Sequence, residues 1–220
     1  MKRQSGPFMT IIFACAAILA SALPGTGSAF AQGKPLTIVV LGDSLSAGYG
    51  LPAEAAFPAV LEKSLKARGH HVQIVNAGVS GDTASAGLDR LDWSVPEGTD
   101  GVIVELGAND MLRGLDPAVP RRAIETIVER LKARGIPVML AGMLASPNLG
   151  ADYGRQFDGL YRDIAKKHDV VLYRFFLDGV AGETNLNLPD GLHPTAAGVG
   201  VIVSRILPTV ETFLASLPKR

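Results

Sequence analysis

Four short segments of this 220-residue sequence contain the residue types that acyl transfer needs. Gly42-Asp43-Ser44-Leu45 supplies a hydroxyl, and residues 190–194 supply an imidazole three residues after a carboxylate. Residues 76–82 and 107–110 are rich in Gly, Asn and Asp. A serine hydroxyl becomes an effective nucleophile only when a neighbouring base takes its proton. The four segments therefore predict covalent catalysis, provided that the fold brings them together.

Ser44 is the predicted nucleophile, and His193 is the predicted general base and later general acid. Imidazole suits both tasks near neutral pH. Asp190 lies close enough in a turn to accept the Nδ1 proton of His193, which would fix the tautomer and stabilise the imidazolium. Each residue also has a structural interpretation, because serine caps helices and an Asp-x-x-His turn forms local hydrogen bonds.

Three hydrogen-bond donors are predicted to form an oxyanion hole. They are the backbone N–H groups of Ser44 and Gly78 and the side-chain amide of Asn109. Glycine lets the backbone approach a reacting group closely. A donor aimed at the oxyanion stabilises the transition state by about 3 kcal/mol. The alternative is that Gly78 and Asn109 are ordinary turn residues.

The residues beside these groups are expected to shape a substrate pocket. Residues 144–155 follow the fourth predicted strand, and they are expected to form one wall of the acyl pocket. Asp43 and Asp110 flank site residues and are interpreted as hydrogen-bond acceptors that fix loops. The candidate pocket residues are Leu45, Asp43, Asp110, Leu144 and Tyr153.

The elements that would position these residues are five short strands. Apolar runs rich in β-branched residues recur along the chain, and such runs are typical of strands buried on both faces. Each run precedes a turn or a segment of helical periodicity. The predicted strands cover residues 36–41, 72–75, 102–106, 138–141 and 170–173.

Helices are predicted between these strands. Apolar residues recur at helical spacing over 59–68, 123–134, 153–168 and 196–217, and the last helix is expected to bend at Pro208. Strands that alternate with helices predict the α/β class: a three-layer α/β/α sandwich around a five-stranded, doubly wound parallel sheet. Ligands bind at the carboxyl ends of such strands, so the candidate catalytic segments should meet at one edge.

The first 31 residues have the pattern of a secretory signal peptide. Lys2 and Arg3 precede an apolar run, and Ala29-Phe30-Ala31 offers small residues at the spacing of a cleavage site. We expect cleavage between Ala31 and Gln32, and a single domain over 32–220 in the periplasm or the medium. No later run is expected to reach membrane-spanning length, so no stable membrane anchor is expected.

Composition excludes several other classes of protein. The 21 basic and 21 acidic residues balance, which gives no electrostatic footprint for nucleic acid. Cys15, the single cysteine, excludes a disulfide framework and a multi-cysteine metal site. No HExxH pattern is present, so neither a metal nor another cofactor is expected. A monomer is expected.

Two other classes of protein are alternatives to an enzyme. Residues 48–53 imitate a GxGxxA dinucleotide loop, but Pro52 interrupts the required strand-to-helix turn, and the second strand ends at Asn76 rather than at an acid. A non-catalytic lipid- or carbohydrate-binding module would usually lack the nucleophile, the base or the oxyanion donors.

The motifs resemble those of the SGNH hydrolases, whose GDSL signature Gly42-Asp43-Ser44-Leu45 matches. The stretches LGDSLSAGYG, SGDT, ELGAND, LRG, ADYGR and DGLHP are similar to the secreted branch that contains acyl-CoA thioesterase I/lysophospholipase and the arylesterases. The resemblance implies a flavodoxin-like fold that hydrolyses small or lipid esters and thioesters through an acyl-Ser44 intermediate. Aryl esters, lysophospholipids and acyl-CoA analogues are the implied substrates, and carbohydrate O-deacetylation on the same fold is an alternative.

Overall fold

Five parallel strands form the central sheet of the protein, whose computed structural model describes residues 1–3, 6 and 33–218. All the elements lie within the unit Lys34–Arg220. The strands are β1 (Leu36–Gly42), β2 (Val72–Gly78), β3 (Gly101–Glu105), β4 (Val138–Ala141) and β5 (Val171–Tyr173). Their order in the sheet is β2-β1-β3-β4-β5, which confirms the predicted doubly wound α/β sheet.

Helices connect the strands and cover the sheet. They are α1 (Ser44–Ala47), α2 (Phe57–Ala67), α3 (Ala84–Asp89), α4 (Leu91–Ser94), α5 (Ala108–Leu112), α6 (Ala118–Ala133), α7 (Ala151–His168) and α8 (Ala196–Ser216). Helix α2 packs against α8, whereas α6 packs against α3 and α7. Short 3₁₀ turns occupy Ala53–Ala55, Pro147–Leu149 and Thr184–Leu186.

Strand β1 lies in the middle of the strands that carry the site. It pairs with β2 on one side and β3 on the other, and Gly42 is opposite both Gly78 and Glu105. Residues Ile38 to Leu41 are fully buried, as expected for a strand covered on both faces. The carboxyl ends of the three strands are therefore level, and the loops that follow them start from one edge.

The helix boundaries differ from the predicted ones mainly at their starts. Helix α6 begins at Ala118 rather than at residue 123, and the Ala118 N–H donates to Asp116 Oδ1 at 2.9 Å. Pro120 is tolerated there because the N–H groups of a first turn have no intrahelical acceptor. Helix α8 continues without interruption through Pro208, and α3, α4 and α5 were not predicted.

Helix α8 corrects one expectation. At 21 residues it is long and apolar enough to span a membrane by length and composition, although no such segment was expected after residue 31. Its buried side chains include Ile202, Ile206 and Phe213, and the helix contacts α2 and β5. A core helix of a folded domain has the same composition, so this finding alone is weak evidence for a membrane span.

Candidate active site

The candidate nucleophile lies where β1 turns into α1. Asp43 is the N-cap residue of α1, and its Oδ1 accepts the Leu45 N–H at 3.0 Å. Ser44 is the first residue of the helix and is 9% exposed. The N–H of a first helical residue has no acceptor within the helix. The hydroxyl and the backbone N–H of Ser44 are thus both available at the sheet edge.

Ser44, His193 and Asp190 form one chain of contacts. His193 Nε2 lies 2.9 Å from Ser44 Oγ, and His193 Nδ1 lies 2.7 Å from Asp190 Oδ2. Asp190 Oδ1 also accepts the N–H groups of His193 and Leu192 at 3.0 and 2.9 Å. These hydrogen bonds, led by the His193 backbone N–H, lower the pKa of Asp190 from 3.8 to about 2. Asp190 is therefore charged at neutral pH and faces the imidazole.

The loop that carries His193 is held from both sides. The Leu188 N–H donates to the His193 carbonyl at 2.7 Å, and Asn187 pairs with Pro194 in an isolated antiparallel bridge. The Asn187 side chain donates to the carbonyls of Val180 and Glu183. The loop is consequently fixed before α8 begins, which sets the position of the imidazole.

Asn109 lies in the first turn of α5 and points toward the same edge. Its Nδ2 donates to the Asp82 carbonyl at 2.9 Å and to Asp43 Oδ2 at 3.3 Å. Asn109 also lines the cavity that contains Ser44 and His193. The structure thus brings together four of the predicted residues: Ser44, Asn109, Asp190 and His193.

Gly78 requires a correction as a predicted oxyanion donor. Its N–H donates to Asn76 Oδ1 at 3.0 Å. It packs instead beneath α1, where an added Cβ would clash with the Ala47 backbone. The backbone N–H of Gly78 is therefore committed to a turn within β2.

Gly81 is a candidate that the sequence analysis missed. Its φ of 89° is in the left-handed region, and its carbonyl accepts Arg113 Nη2 at 2.8 Å. The adjacent Asp82 carbonyl accepts the Asn109 amide, so this turn lies beside Asn109. Among the residues that the structure describes, none accepts a hydrogen bond from the Gly81 N–H. The SGDT stretch contained this glycine, but spacing alone does not show where an N–H points.

Two acids lie buried behind the nucleophile. Asp43 is fully buried, and burial raises its pKa from 3.8 to about 7 against the opposing effects of the Leu45 N–H and His193. Glu105, at the end of β3, is also fully buried, and its Oε2 accepts Ser46 Oγ at 2.7 Å. Burial, reinforced by Asp43, raises the pKa of Glu105 well above 4.5. Among the residues that the structure describes, its Oε1 has no hydrogen-bond partner, which costs less for a neutral carboxyl group than for a carboxylate.

Three of the predicted pocket residues do not line the cavity. Asp43 lies beneath it, and Asp110 is buried with Oδ2 accepting the Ala84 N–H at 2.7 Å, so both act as acceptors that fix loops. Burial also raises the pKa of Asp110. Tyr153 stacks on Phe157 with ring centroids 5.8 Å apart. These three pocket predictions were wrong because the side chains turn into the domain.

Arg90 ties together the loops around the site, and the sequence analysis did not identify it. It is 7% exposed and lies between α3 and α4. Its guanidinium donates to the carbonyls of Gly42 and Ala77, each at 2.8 Å, and to Asp82 Oδ2 at 2.5 Å. The ends of β1 and β2 and the turn that contacts Asn109 therefore share one buried cation.

A cavity of about 710 Å³ opens at Ser44 and His193. Leu45 and Leu144 line it as predicted, and the 144–155 wall contributes Leu144 to Pro147. Asp158 Oδ1 fixes that wall by accepting the Ala145 N–H at 2.7 Å. In the described part of the chain, no Asp, Glu, Lys or Arg side chain lines the cavity. Its apolar lining includes Leu45, Met111, Leu112, Met143, Leu144, Phe175, Leu177 and Leu192.

A serine, an imidazole and a carboxylate in this order, at the strand ends of a doubly wound sheet, define a serine hydrolase. Residues 40–201 match the model of the GDSL-like Lipase/Acylhydrolase family, and the chain belongs to that family. The resemblance found in the sequence is thereby confirmed.

Individual relatives agree with this assignment. The chain is 35% identical over 184 residues to "Esterase TesA" of Pseudomonas aeruginosa, covering 83% of this chain and 92% of that protein. It is 37% identical over 159 residues to "Thioesterase 1/protease 1/lysophospholipase L1" of Escherichia coli K12, covering 72% and 75% respectively. Among solved structures, the SGNH-hydrolase family esterase AlinE4 superposes with a TM-score of 0.70 at 47% identity, over 82% of this chain and 97% of that one.

Proposed function

We propose that the protein hydrolyses carboxylic esters, and also thioesters, through an acyl-Ser44 intermediate. The observation that carries this proposal is the 2.9 Å contact between Ser44 Oγ and His193 Nε2 at the mouth of the cavity. Membership of the acylhydrolase family supports the same reaction. Two relatives are named as an esterase and as a thioesterase, which supports both kinds of substrate.

The first half of the reaction forms the acyl-enzyme. His193 Nε2 takes the Ser44 proton as Oγ attacks the acyl carbon, and the carbonyl oxygen becomes an oxyanion. The imidazolium keeps its Nδ1–H on Asp190, whose negative charge stabilises it. When the tetrahedral intermediate collapses, the bond to the leaving oxygen or sulfur breaks and Nε2 gives its proton to that atom.

The second half releases the acid and restores the enzyme. A water molecule gives a proton to His193 Nε2 and attacks the acyl carbon, which forms a second tetrahedral intermediate. The bond to Ser44 Oγ then breaks, and Oγ takes the proton back from Nε2. The carboxylic acid leaves, so the net reaction converts an ester and water into an acid and an alcohol, or a thioester and water into an acid and a thiol.

The proposed oxyanion donors are the N–H groups of Ser44 and Gly81 and the Asn109 amide. The 3.3 Å hydrogen bond from Asn109 to Asp43 is the longer of its two, so it is the one that the oxyanion would replace. The bond to the Asp82 carbonyl would remain and would orient the amide. Gly81 takes the place first predicted for Gly78.

The cavity favours uncharged substrates. Its lining offers no cation for a phosphate group and no acid for an amine in the described part of the chain. An acyl-CoA or lysophospholipid would have to keep its phosphates outside, whereas an aliphatic acyl chain gains from burial by about 25 cal/mol per Å². We therefore expect higher kcat/KM for p-nitrophenyl esters of medium length than for acyl-CoAs, lysophospholipids or acetylated sugars.

A fluorophosphonate probe tests the proposed nucleophile. The wild-type protein should be labelled, and Ser44→Ala should lose both labelling and p-nitrophenyl ester hydrolysis. Ser204→Ala, which changes an exposed serine of α8, is the matched control and should behave as wild type. A wild-type protein that neither reacts with the probe nor hydrolyses any ester would instead indicate a binding module.

We infer that residues 1–31 are a signal peptide and that 32–220 are the catalytic domain. The predicted leader lies outside the described residues, apart from residues 1–3 and 6. Support comes from the unit boundary between Gly33 and Lys34 and from the start of the family match at residue 40. We propose export to the periplasm or the medium. N-terminal sequencing of the exported protein should begin at Gln32, and an intact Met1 there would contradict the proposal.

We also propose that the exported domain is a monomer without a membrane anchor. Light scattering after size exclusion should give the mass of a single mature chain. After high-speed centrifugation, the protein should remain in the supernatant and not in the membrane pellet. A stable dimer, or activity that stays with washed membranes, would contradict this expectation, and α8 would then be the segment to examine.

A further inference from the structure

The ring of Tyr49 lies against the imidazole of His193, and the reaction described above does not use it. The two ring centroids are 4.4 Å apart, with an angle of 34° between the planes. Tyr49 is nevertheless 53% exposed, so burial in the core is not what holds the ring in place. The contact with the proposed catalytic base is therefore the feature of this ring that core packing does not explain.

The backbone of Tyr49 is hydrogen-bonded to Ser44, the proposed nucleophile. Its N–H donates to the Ser44 carbonyl at 3.1 Å, next to the Gly48 N–H at 3.2 Å. Gly48 ends α1 in the left-handed conformation, with φ 82°. Tyr49 therefore links Ser44, through a hydrogen bond, to His193, through its ring.

The next residue strengthens this link between two distant segments. Gly50 has φ 72°, and a Cβ at this position would lie 2.9 Å from Leu188 Cδ1. The absence of a side chain lets Leu188 approach the backbone after α1. Leu188 in turn donates its N–H to the His193 carbonyl. The segment 48–50 thus packs on the loop that carries the imidazole.

We propose that Tyr49 is a positioning residue that holds the His193 imidazole against Ser44 and stabilises the imidazolium formed during catalysis. The inference rests on the proposed function of His193 as the base. The face of an aromatic ring within about 6 Å attracts a cation, and desolvation by the bound substrate strengthens that attraction. The acids that face the same imidazole are Asp190, in direct contact, and Asp43, through its charge when ionised.

The proposal predicts a change in the pH profile and not only in the rate. A ring that favours the imidazolium moves its deprotonation to higher pH. Removing the ring should therefore move the acid limb of the kcat/KM profile to lower pH, by about 0.4 to 0.7 of a pH unit. On the pH plateau, kcat should fall about 2- to 5-fold because the imidazolium in the transition state loses the same contact.

The test compares Tyr49→Phe, which keeps the ring, with Tyr49→Leu, which removes it. Phe should retain the wild-type profile, and Leu should show both the shifted acid limb and the lower kcat. Trp93→Leu is the control, since Trp93 is 73% exposed on α4 and is absent from the cavity lining. A Leu variant with a wild-type acid limb would overturn the proposal, whether or not its kcat falls.

Thermal unfolding of each variant shows whether the domain is intact, and Ser44→Ala separates this inference from the proposed function. If Ser44→Ala is inactive while Tyr49→Leu keeps the wild-type profile, only the role of Tyr49 is wrong. If Ser44→Ala keeps full activity, the proposed reaction itself is wrong, and with it the role of His193 as the base.

Discussion

At the scale of single residues, the acids near Ser44 differ because their surroundings differ. Asp190 is at the surface and accepts three hydrogen bonds from Leu192 and His193, so its pKa falls to about 2. Asp43 is fully buried, and its pKa rises to about 7. Acids whose pKa values are separated in this way are suited to different tasks. Asp190 is suited to pair with an imidazolium, and Asp43 to hold the turn.

Replacing the acid should cost less activity than replacing the base. Asp190→Asn keeps an oxygen that accepts the backbone N–H groups but removes the charge on the imidazolium, so kcat should fall on the order of 10⁴-fold. His193→Ala should lose roughly as much as Ser44→Ala, on the order of 10⁶-fold, because these groups act as a unit. The measurement is kcat on a p-nitrophenyl ester, and near-wild-type turnover of His193→Ala would refute the assigned base.

Asn109→Ala should lower kcat by about 10²-fold, the usual effect of removing one oxyanion donor. The loss should be in kcat rather than in KM, because the amide strengthens its hydrogen bond only as the oxyanion forms. Asn185→Ala, at an exposed position outside the cavity lining, is the control. A change confined to KM would assign Asn109 to substrate binding instead.

The sequence predicted residues that the structure brings together. Ser44 and Asn109 follow strands, whereas Asp190 and His193 are marked by their Asp-x-x-His spacing in the loop before α8. The sequence was not sufficient to choose between Gly78 and Gly81. The two glycines are three residues apart, and it is the turn between them that leaves the Gly81 N–H, unlike the Gly78 N–H, without an acceptor in the described part of the chain.

At the scale of elements, β1 and its neighbours position the site. The strand cores were predicted well because β-branched apolar runs are a strong signal. The last residues of β2, Asn76 to Gly78, were missed because their strand propensity is low. They belong to the strand because they pair in register with Val40 to Gly42 of β1. Helices α3 and α4 are too short to show a periodic pattern, and Arg90, between them, was missed with them.

Arg90→Met should destabilise the domain by about 3 kcal/mol or more, because it leaves Asp82 and the strand-end carbonyls of Gly42 and Ala77 without their cation. Urea unfolding measures this loss. Arg130→Met is the matched control, because its ion pair with Asp92 is exposed and such pairs contribute about 0–1 kcal/mol. Equal losses in the two variants would show that Arg90 does not hold the strand ends together.

At the scale of the whole molecule, the buried acids make stability depend on pH. A carboxyl group whose pKa is raised by folding keeps its proton in the native state after the unfolded chain has released it. The free energy of unfolding then falls as pH rises. For Asp43 the fall covers the range from 3.8 to about 7, and for Glu105 it starts near 4.5 and continues until the buried group ionises.

Glu105→Gln should remove its share of this dependence. The amide oxygen can still accept the Ser46 hydroxyl, and it never ionises. Above pH 5, and for as long as native Glu105 keeps its proton, the unfolding free energy of the variant should therefore fall less steeply than that of wild type, by on the order of 1.4 kcal/mol per pH unit. Urea unfolding at several pH values measures the slopes. Glu97→Gln replaces an exposed acid and should follow the wild-type curve. If the unfolding free energy of Glu105→Gln has the same slope against pH as that of wild type, Glu105 is not neutral in the native state.

The contact between Ser44 and His193 joins positions 149 residues apart. During synthesis the ribosome adds Ser44 early and His193 close to the end of the chain. A nascent chain should thus be unable to cleave lipids or other esters inside the cell until its last quarter has been translated and folded. Fragments released by a protease that cuts before residue 190 should be equally inert.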